Sequence, residues 1–328
     1  MKKLSFILLI ILVIFLIFII LRKNNISINN KNNDNLNIIT TIFPQYDFVR
    51  QIAKDKVNLE MLLPLGSESH SFEPTPQDII KIKNCDVFIY VGGESDAWID
   101  TILESMDTSN KKIISLMDLV DVVEEKIVEG MEDEEEKEER ESDEKDIYDD
   151  GEIEYDEHVW TSIKNARQIV QSISDILCEL DAKNADFYKQ NTIEYIEKLE
   201  NLENEYRKIV ETSKRKIFVF GDRFPFRYFA DEFGLEYYAA FPGCSSQTEA
   251  SAATIKFLID KVKAEKIPVV FFIEFSNEKI SDIICESTGA KKLILHSCHN
   301  VSKKDFDMGT SYLDLMTKNL DNFREALN

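Results

Sequence analysis

The chain of 328 residues carries only four histidines: His70, His158, His296 and His299. An imidazole is the side chain best suited to metal ligation or proton transfer near neutral pH, so their settings are the first thing to read. His70 stands in the stretch 62–78, LLPLGSESHSFEPTPQD. That stretch opens as an apolar strand, breaks at Gly66 and presents His70 in a Ser/Glu-rich loop. It restarts as a helix at Pro74-Thr75-Pro76, where a proline in the first turn forfeits no hydrogen bond. Such a strand–helix junction is where open α/β sheets hold ligands. A lone histidine there reads most simply as a surface residue in a turn. A second one in a like setting, His158 within Asp156-Glu157-His158-Val159-Trp160, shifts the reading toward ligation. Two imidazoles do not make a tight site, because three or four N/O ligands are usual.

The elements that must position these loops alternate along the chain. Apolar, β-branched stretches at 37–43, 57–65, 86–91 and 112–116 read as strands, with amphipathic helices at 45–55, 74–84 and 95–106. Helical spacing then runs through 161–180 and 184–213; a coiled-coil seam in the second is open, but its apolar positions hold no strict heptad. The second half repeats the rhythm, with strands at 216–221, 235–240, 268–274 and 291–296. Its helices are read at 225–233, 252–265, 278–287 and 305–327. Strands alternating with helices of this length imply βαβ units, hence an α/β fold with mainly parallel sheets.

Three stretches differ from this body. Lys2-Lys3 precede an apolar run from 4 to 21, broken only by Ser5 and closed by Arg22-Lys23. Eighteen residues approach the span of a bilayer, and no small-x-small cleavage pattern follows, so 1–23 reads as an uncleaved membrane anchor. Residues 24–36 are Asn-rich and read as a linker. The block 121–157 holds 21 Asp/Glu and 4 Lys/Arg, a net of −17 within the chain's total of −22. It self-repels and has little to bury, so a solvated, disordered loop is the default and a loose cation sponge the functional alternative. Within it, 146–157 shares some positions with a calcium loop, but Tyr148 fills the third ligand place and the match is set aside. This acidity argues against nucleic acid as a partner, since phosphate binding needs basic patches. Five scattered cysteines suggest no disulfide framework; Cys178 and Cys285, in helical patterns, read as buried small apolars.

The strand Thr41-Ile42-Phe43-Pro44, the stretch 62–78 and Asp156–Trp160 together resemble the solute-binding proteins of zinc/manganese ABC importers, and the resemblance runs from about residue 37 to the C-terminus apart from the acidic insertion. It implies two Rossmann-like lobes, 37–183 and 214–328, bridged by a long rigid helix over 184–213. The metal would lie in the cleft between the lobes. Family members add a His or Glu after the first strand of the second lobe; here that place reads Val219-Phe220-Gly221-Asp222-Arg223-Phe224. Asp222 is the carboxylate that fits, with a helix N-cap or a partner of Arg223 as its plainer roles. Where relatives carry a final Asp, this chain carries His296, which is the first candidate there, His299 the second and Cys298 the third. Glu274, at the end of its strand, is read as orienting a ligand from behind. His70, His158 and His296 with one carboxylate would form a nitrogen-rich site that favours Zn²⁺, whereas two histidines with two carboxylates would tilt toward Mn²⁺.

The reading that follows is capture, not catalysis: a bacterial protein anchored at the extracellular face of the membrane, holding one divalent ion and delivering it to an ABC permease. Two alternatives stay open. One is a zinc hydrolase using Glu274 or Asp222 as general base, although HExxH-type spacing is absent. The other is a surface adhesin that keeps the fold.

Overall fold

The computed structural model describes residues 35–70, 72–131, 154–245 and 250–328. The anchor, nearly all of the linker and the central part of the acidic block lie outside the described residues. Among those described, no helix is long and apolar enough to cross a membrane.

The first lobe is built from β1 (Asn37–Thr40), α1 (Phe43–Ala53), β2 (Asn58–Met61), α2 (Pro76–Asn84), β3 (Val87–Tyr90), α3 (Ala97–Glu104) and β4 (Lys112–Ser115). Its four strands are all parallel, in the order β2-β1-β3-β4. Short strands covered on both faces read as continuous apolar runs, as VFIY of β3 does. Ile39, Leu62, Ile82, Cys85, Phe88 and Ile99 make one core of this lobe. Thr75 caps α2 through a reciprocal pair of bonds with Asp78, which fixes where the loop carrying His70 ends.

The second lobe repeats the plan with β5 (Ile217–Arg223), α6 (Arg227–Phe233), β6 (Glu236–Phe241), α7 (Ala252–Ala264), β7 (Val269–Phe272), α8 (Lys279–Thr288) and β8 (Lys291–Ile294). Its parallel order, β6-β5-β7-β8, matches that of the first sheet strand for strand. In each sheet the order reverses beside the first strand, and the crevice at such a switch point opens at the carboxyl ends of the strands.

After the first sheet the chain forms α4 (Ile163–Leu180) and the 28-residue α5 (Ala185–Thr212). Asn191 of α5 donates to the Ile52 carbonyl of α1 at 2.8 Å and accepts from Lys54 at 2.7 Å. Further along, the Tyr206 hydroxyl donates to the Met316 carbonyl, and its ring packs within 5.1–5.6 Å of Phe229, Phe233 and Phe323. The same helix therefore touches both lobes, and its apolar side is taken up within the chain.

Three expectations need correction. The last helix is broken into α9 (Lys303–Asp307) and α10 (Tyr312–Leu327). Gly309 at φ 75 leaves the helical region and Ser311 caps a new start with Asp314, so the apolar pattern alone could not show the break. The described ends of the acidic block are ordered: Glu124 bridges Tyr155 in antiparallel fashion, and Asp156 and Glu157 are buried. Cys178 and Cys285 are only half-buried, and it is Cys85 and Cys298 that are enclosed; all five cysteines are free thiols.

Candidate metal centre

Three loops converge at the carboxyl ends of the two sheets. The loop after β2 is tied down from the other lobe: Asn300 donates to the carbonyls of Pro64 and Ser67, both at 2.8 Å, and the Gly66 N–H donates to Val301. Within it, Glu68 accepts the His70 N–H at 3.0 Å, and the His70 Nδ1 pairs with the Ser95 hydroxyl at 3.2 Å. Ser95 is itself placed by Glu157, which accepts its N–H at 2.7 Å. Gly93 makes that approach feasible, since a Cβ there would come within 2.5 Å of the Glu157 side chain and its φ is +81.

His158 is fully buried just before a single turn of 3₁₀ helix at Val159–Thr161. Asp156 accepts both its N–H, at 2.8 Å, and its Nδ1–H, at 3.1 Å. Burial opposes protonation of this ring, yet the charge and hydrogen bond of Asp156, with Glu157 and Glu125 behind it, outweigh that and hold the His158 pKa above the ordinary range.

His299 belongs to the loop after β8. Its Nδ1 lies 2.5 Å from the Ser297 hydroxyl, which in turn donates to Glu274 at 2.8 Å. A hydroxyl that gives its proton to a carboxylate accepts from the ring, so His299 carries its proton on Nδ1. Glu274 also takes the N–H groups of Ser297 and His299, which makes it the fastening of the whole loop, as its position behind a ligand suggested. The Nδ1 nitrogens of all three rings are thus occupied from behind. All three Nε2 atoms are buried and without a hydrogen-bond partner.

A buried nitrogen lone pair left unmatched costs free energy unless something arrives to take it. One ring nitrogen from each of His70, His158 and His299 lies within 4.8 Å of the other two. Around a tetrahedral ion with Zn–N bonds of about 2.0–2.1 Å the separation would be about 3.3 Å, so each ring has to move by about 1 Å or less. Trp160 closes the floor, its ring edge-on to His299 at 5.0 Å, and a cavity of about 30 Å³ beside it is lined by His70, Trp98, Glu157, His158 and His299. Burial, the neighbouring imidazoles and the positive charge of Arg223 keep His70 and His299 neutral well below the usual range.

Of the five residues expected from sequence, the structure brings these three together and leaves two apart. His296 has its N–H and carbonyl clamped by Asn319 at 2.8 Å each, and its ring lies among the charges of Glu274, Lys318 and Asp305. The chain turns between it and His299, where Cys298 takes φ 66. Asp222 is inside β5, not at a helix start, and its oxygens accept the N–H groups of Arg223 at 2.9 Å and Ile273 at 3.2 Å. Sequence reasoning did not single out Asp156, Ser297 or Ser95. A signal for two of them was present: Asp156 and Ser297 each stand two residues before a clustered histidine, whereas Ile294 stands two before His296.

The chain matches, over residues 38–326, the model of a family described as zinc-uptake complex component A, periplasmic. It is 32% identical over 297 residues to the high-affinity zinc uptake system protein ZnuA of Bacillus subtilis, covering 90% of this chain and 88% of that one. It is 30% identical over 290 residues to the zinc-binding lipoprotein AdcA of Streptococcus pneumoniae, where it spans 87% of itself but only 54% of the relative. Among solved structures, the Zn(II)-bound ZnuA-like domain of Streptococcus pneumoniae AdcA superposes with a TM-score of 0.70 at 28% identity, covering 89% of this chain and 99% of that domain. Fold, cleft and sequence agree, and the chain belongs to the family of zinc-uptake complex component A, a transport component and not an enzyme.

Proposed function

We propose that the chain captures one divalent cation, zinc in preference to manganese, between its lobes and surrenders it to a membrane permease of an ABC importer. His70, His158 and His299 are the ligands in this reading. The observation that carries it is the convergence of three buried, unpartnered Nε2 atoms, each held from behind by a Ser or Asp. Three imidazoles suit a borderline ion such as Zn²⁺ better than Mn²⁺, which prefers oxygen. Outer partners of this kind fix the tautomer and raise ligand basicity. Zinc is also what the Bacillus and pneumococcal relatives are named for. In the same reading residues 1–23 anchor the protein at the extracellular face of a bacterial membrane.

The hydrolase alternative lacks its base, because Glu274 and Asp222 are both committed to backbone N–H groups. The adhesin alternative gains no support. The test is a calorimetric titration of the full chain, stripped of metal and held in detergent, with Zn²⁺ and then Mn²⁺. One tight zinc equivalent and weaker manganese binding is the expected result. Stronger manganese binding, or none of either ion, would overturn the proposal.

A further inference from the structure

Directly beside the imidazoles, the two lobes exchange one ion pair. Arg223, the last residue of β5 in the second lobe, places Nη1 3.1 Å from Glu68 Oε1 in the first. The arginine side chain is 10% exposed and the glutamate 32%. The same Glu68 oxygen accepts the N–H of His70, and Arg223, Glu68, His70 and His299 line one small cavity with Glu274. A cation-capturing site thus has a guanidinium built into its wall. Arginine cannot shed its proton, so the charge is permanent and repels any dication that the three rings hold. Glu68 offsets part of that repulsion, being the more exposed and better solvated partner.

Resting on the three-histidine reading above, we infer that Arg223 is an affinity-setting residue of the site: it does not touch the ion, but weakens its binding and speeds its release, with Glu68 holding the guanidinium in place. A capture protein must give its ion up again, and a fixed repulsive charge at the lobe junction supplies that bias without altering any ligand. The pair also crosses from lobe to lobe, so the same contact that sets the charge helps hold the two loops together.

The test uses the full chain in detergent, with zinc affinity measured against a chromophoric chelator and release followed by stopped flow into excess chelator. Arg223→Gln removes the charge and is expected to tighten zinc by about ten-fold or more and to slow release, the order expected for one partly compensated charge near a dication in a protein interior. Arg223→Lys keeps the charge and is expected to stay near the wild type. Glu68→Gln removes one compensating carboxylate from beside the guanidinium and is expected to weaken zinc, the opposite sign. A merely structural ion pair would move both single variants in the same direction, and that result overturns the inference. The double variant Arg223→Gln/Glu68→Gln is expected to keep the gain. Its loss would mean that a freed Glu68 had become a ligand, which also overturns the charge argument. Should Arg223→Gln fail to fold by circular dichroism, Arg223→Met, neutral and close in volume, takes its place, and weaker zinc binding in that variant overturns the inference. Failure of the ligand reading is seen separately, as zinc binding in the wild-type background that survives His299→Ala.

Discussion

Replacing His299 by alanine, with His296→Ala beside it, separates two histidines that lie three residues apart. Four-ligand zinc sites bind with apparent free energies of about 10–16 kcal/mol, or about 3 kcal/mol per donor. At about 1.4 kcal/mol per decade, loss of one imidazole should weaken zinc on the order of 100-fold. His299 offers a buried, unpartnered Nε2 within reach of two others, so the full ligand cost applies to it. His296 lies outside that group, and its backbone clamp to Asn319 survives truncation of the side chain, so its removal should leave affinity unchanged. The assay is competition with a chelator of known affinity on the metal-free full chain, with circular dichroism to check that both variants fold. Equal losses from the two substitutions, or a larger loss from His296→Ala, would refute the assignment.

Truncating the groups behind the rings should cost less than removing a ring: Ser297→Ala and Asp156→Asn are each expected to weaken zinc by about 10- to 100-fold in the same assay. Of the two tryptophans, Trp160 packs against His299 at 5.0 Å and against His158 at 5.5 Å. Zinc should therefore change the intrinsic fluorescence, and Trp160→Phe should remove most of the change; a response carried wholly by Trp98 would contradict the geometry. Asp96 is buried, with Val91 and Gly92 donating to one oxygen, and burial raises its pKa from 3.8 to about 7. The folded state then holds that proton more tightly than the unfolded chain. Its contribution to stability is complete below about pH 4 and is lost as pH rises toward 7. The total is roughly 4 kcal/mol at 1.36 kcal/mol per unit. Asp96→Asn, which keeps an acceptor but cannot ionise, should flatten the difference in denaturant-derived stability between pH 5 and 8; an unchanged slope would show that burial does not hold the proton.

Much of the architecture was legible because it rests on local physics. Runs such as VFIY at 87–90 and VVFF at 269–272 are buried on both faces, and no solvated structure accommodates them. The capped restart at Thr75 and Asp78 bounds the His70 loop by hydrogen bonds between residues three apart. The break at Gly309 was not legible, since apolar spacing carries through it while the backbone does not. The ordered ends of the acidic block were hidden for another reason: composition argues from an average, and Asp156 and Glu157 are buried by partners elsewhere in the chain, Ser95 among them.

By itself the sequence determined the alternation of strands and helices, the mainly parallel α/β character, and the placing of His70 and His158 at loop ends, because each of these follows from residues within one or two turns. Only the tertiary structure decided which histidine of the last loop faces the other two. In a strand, alternation would tell; beyond Ile294 it lapses, and the direction of His299 is set by a turn at Cys298 and by Glu274, in the turn just past the end of the neighbouring β7. Likewise Arg223 and Glu68, 155 residues apart, become one ion pair beside the imidazoles only when the lobes meet. Orientation in a loop is fixed by what lies across the gap, and that partner is not written next to it in the chain.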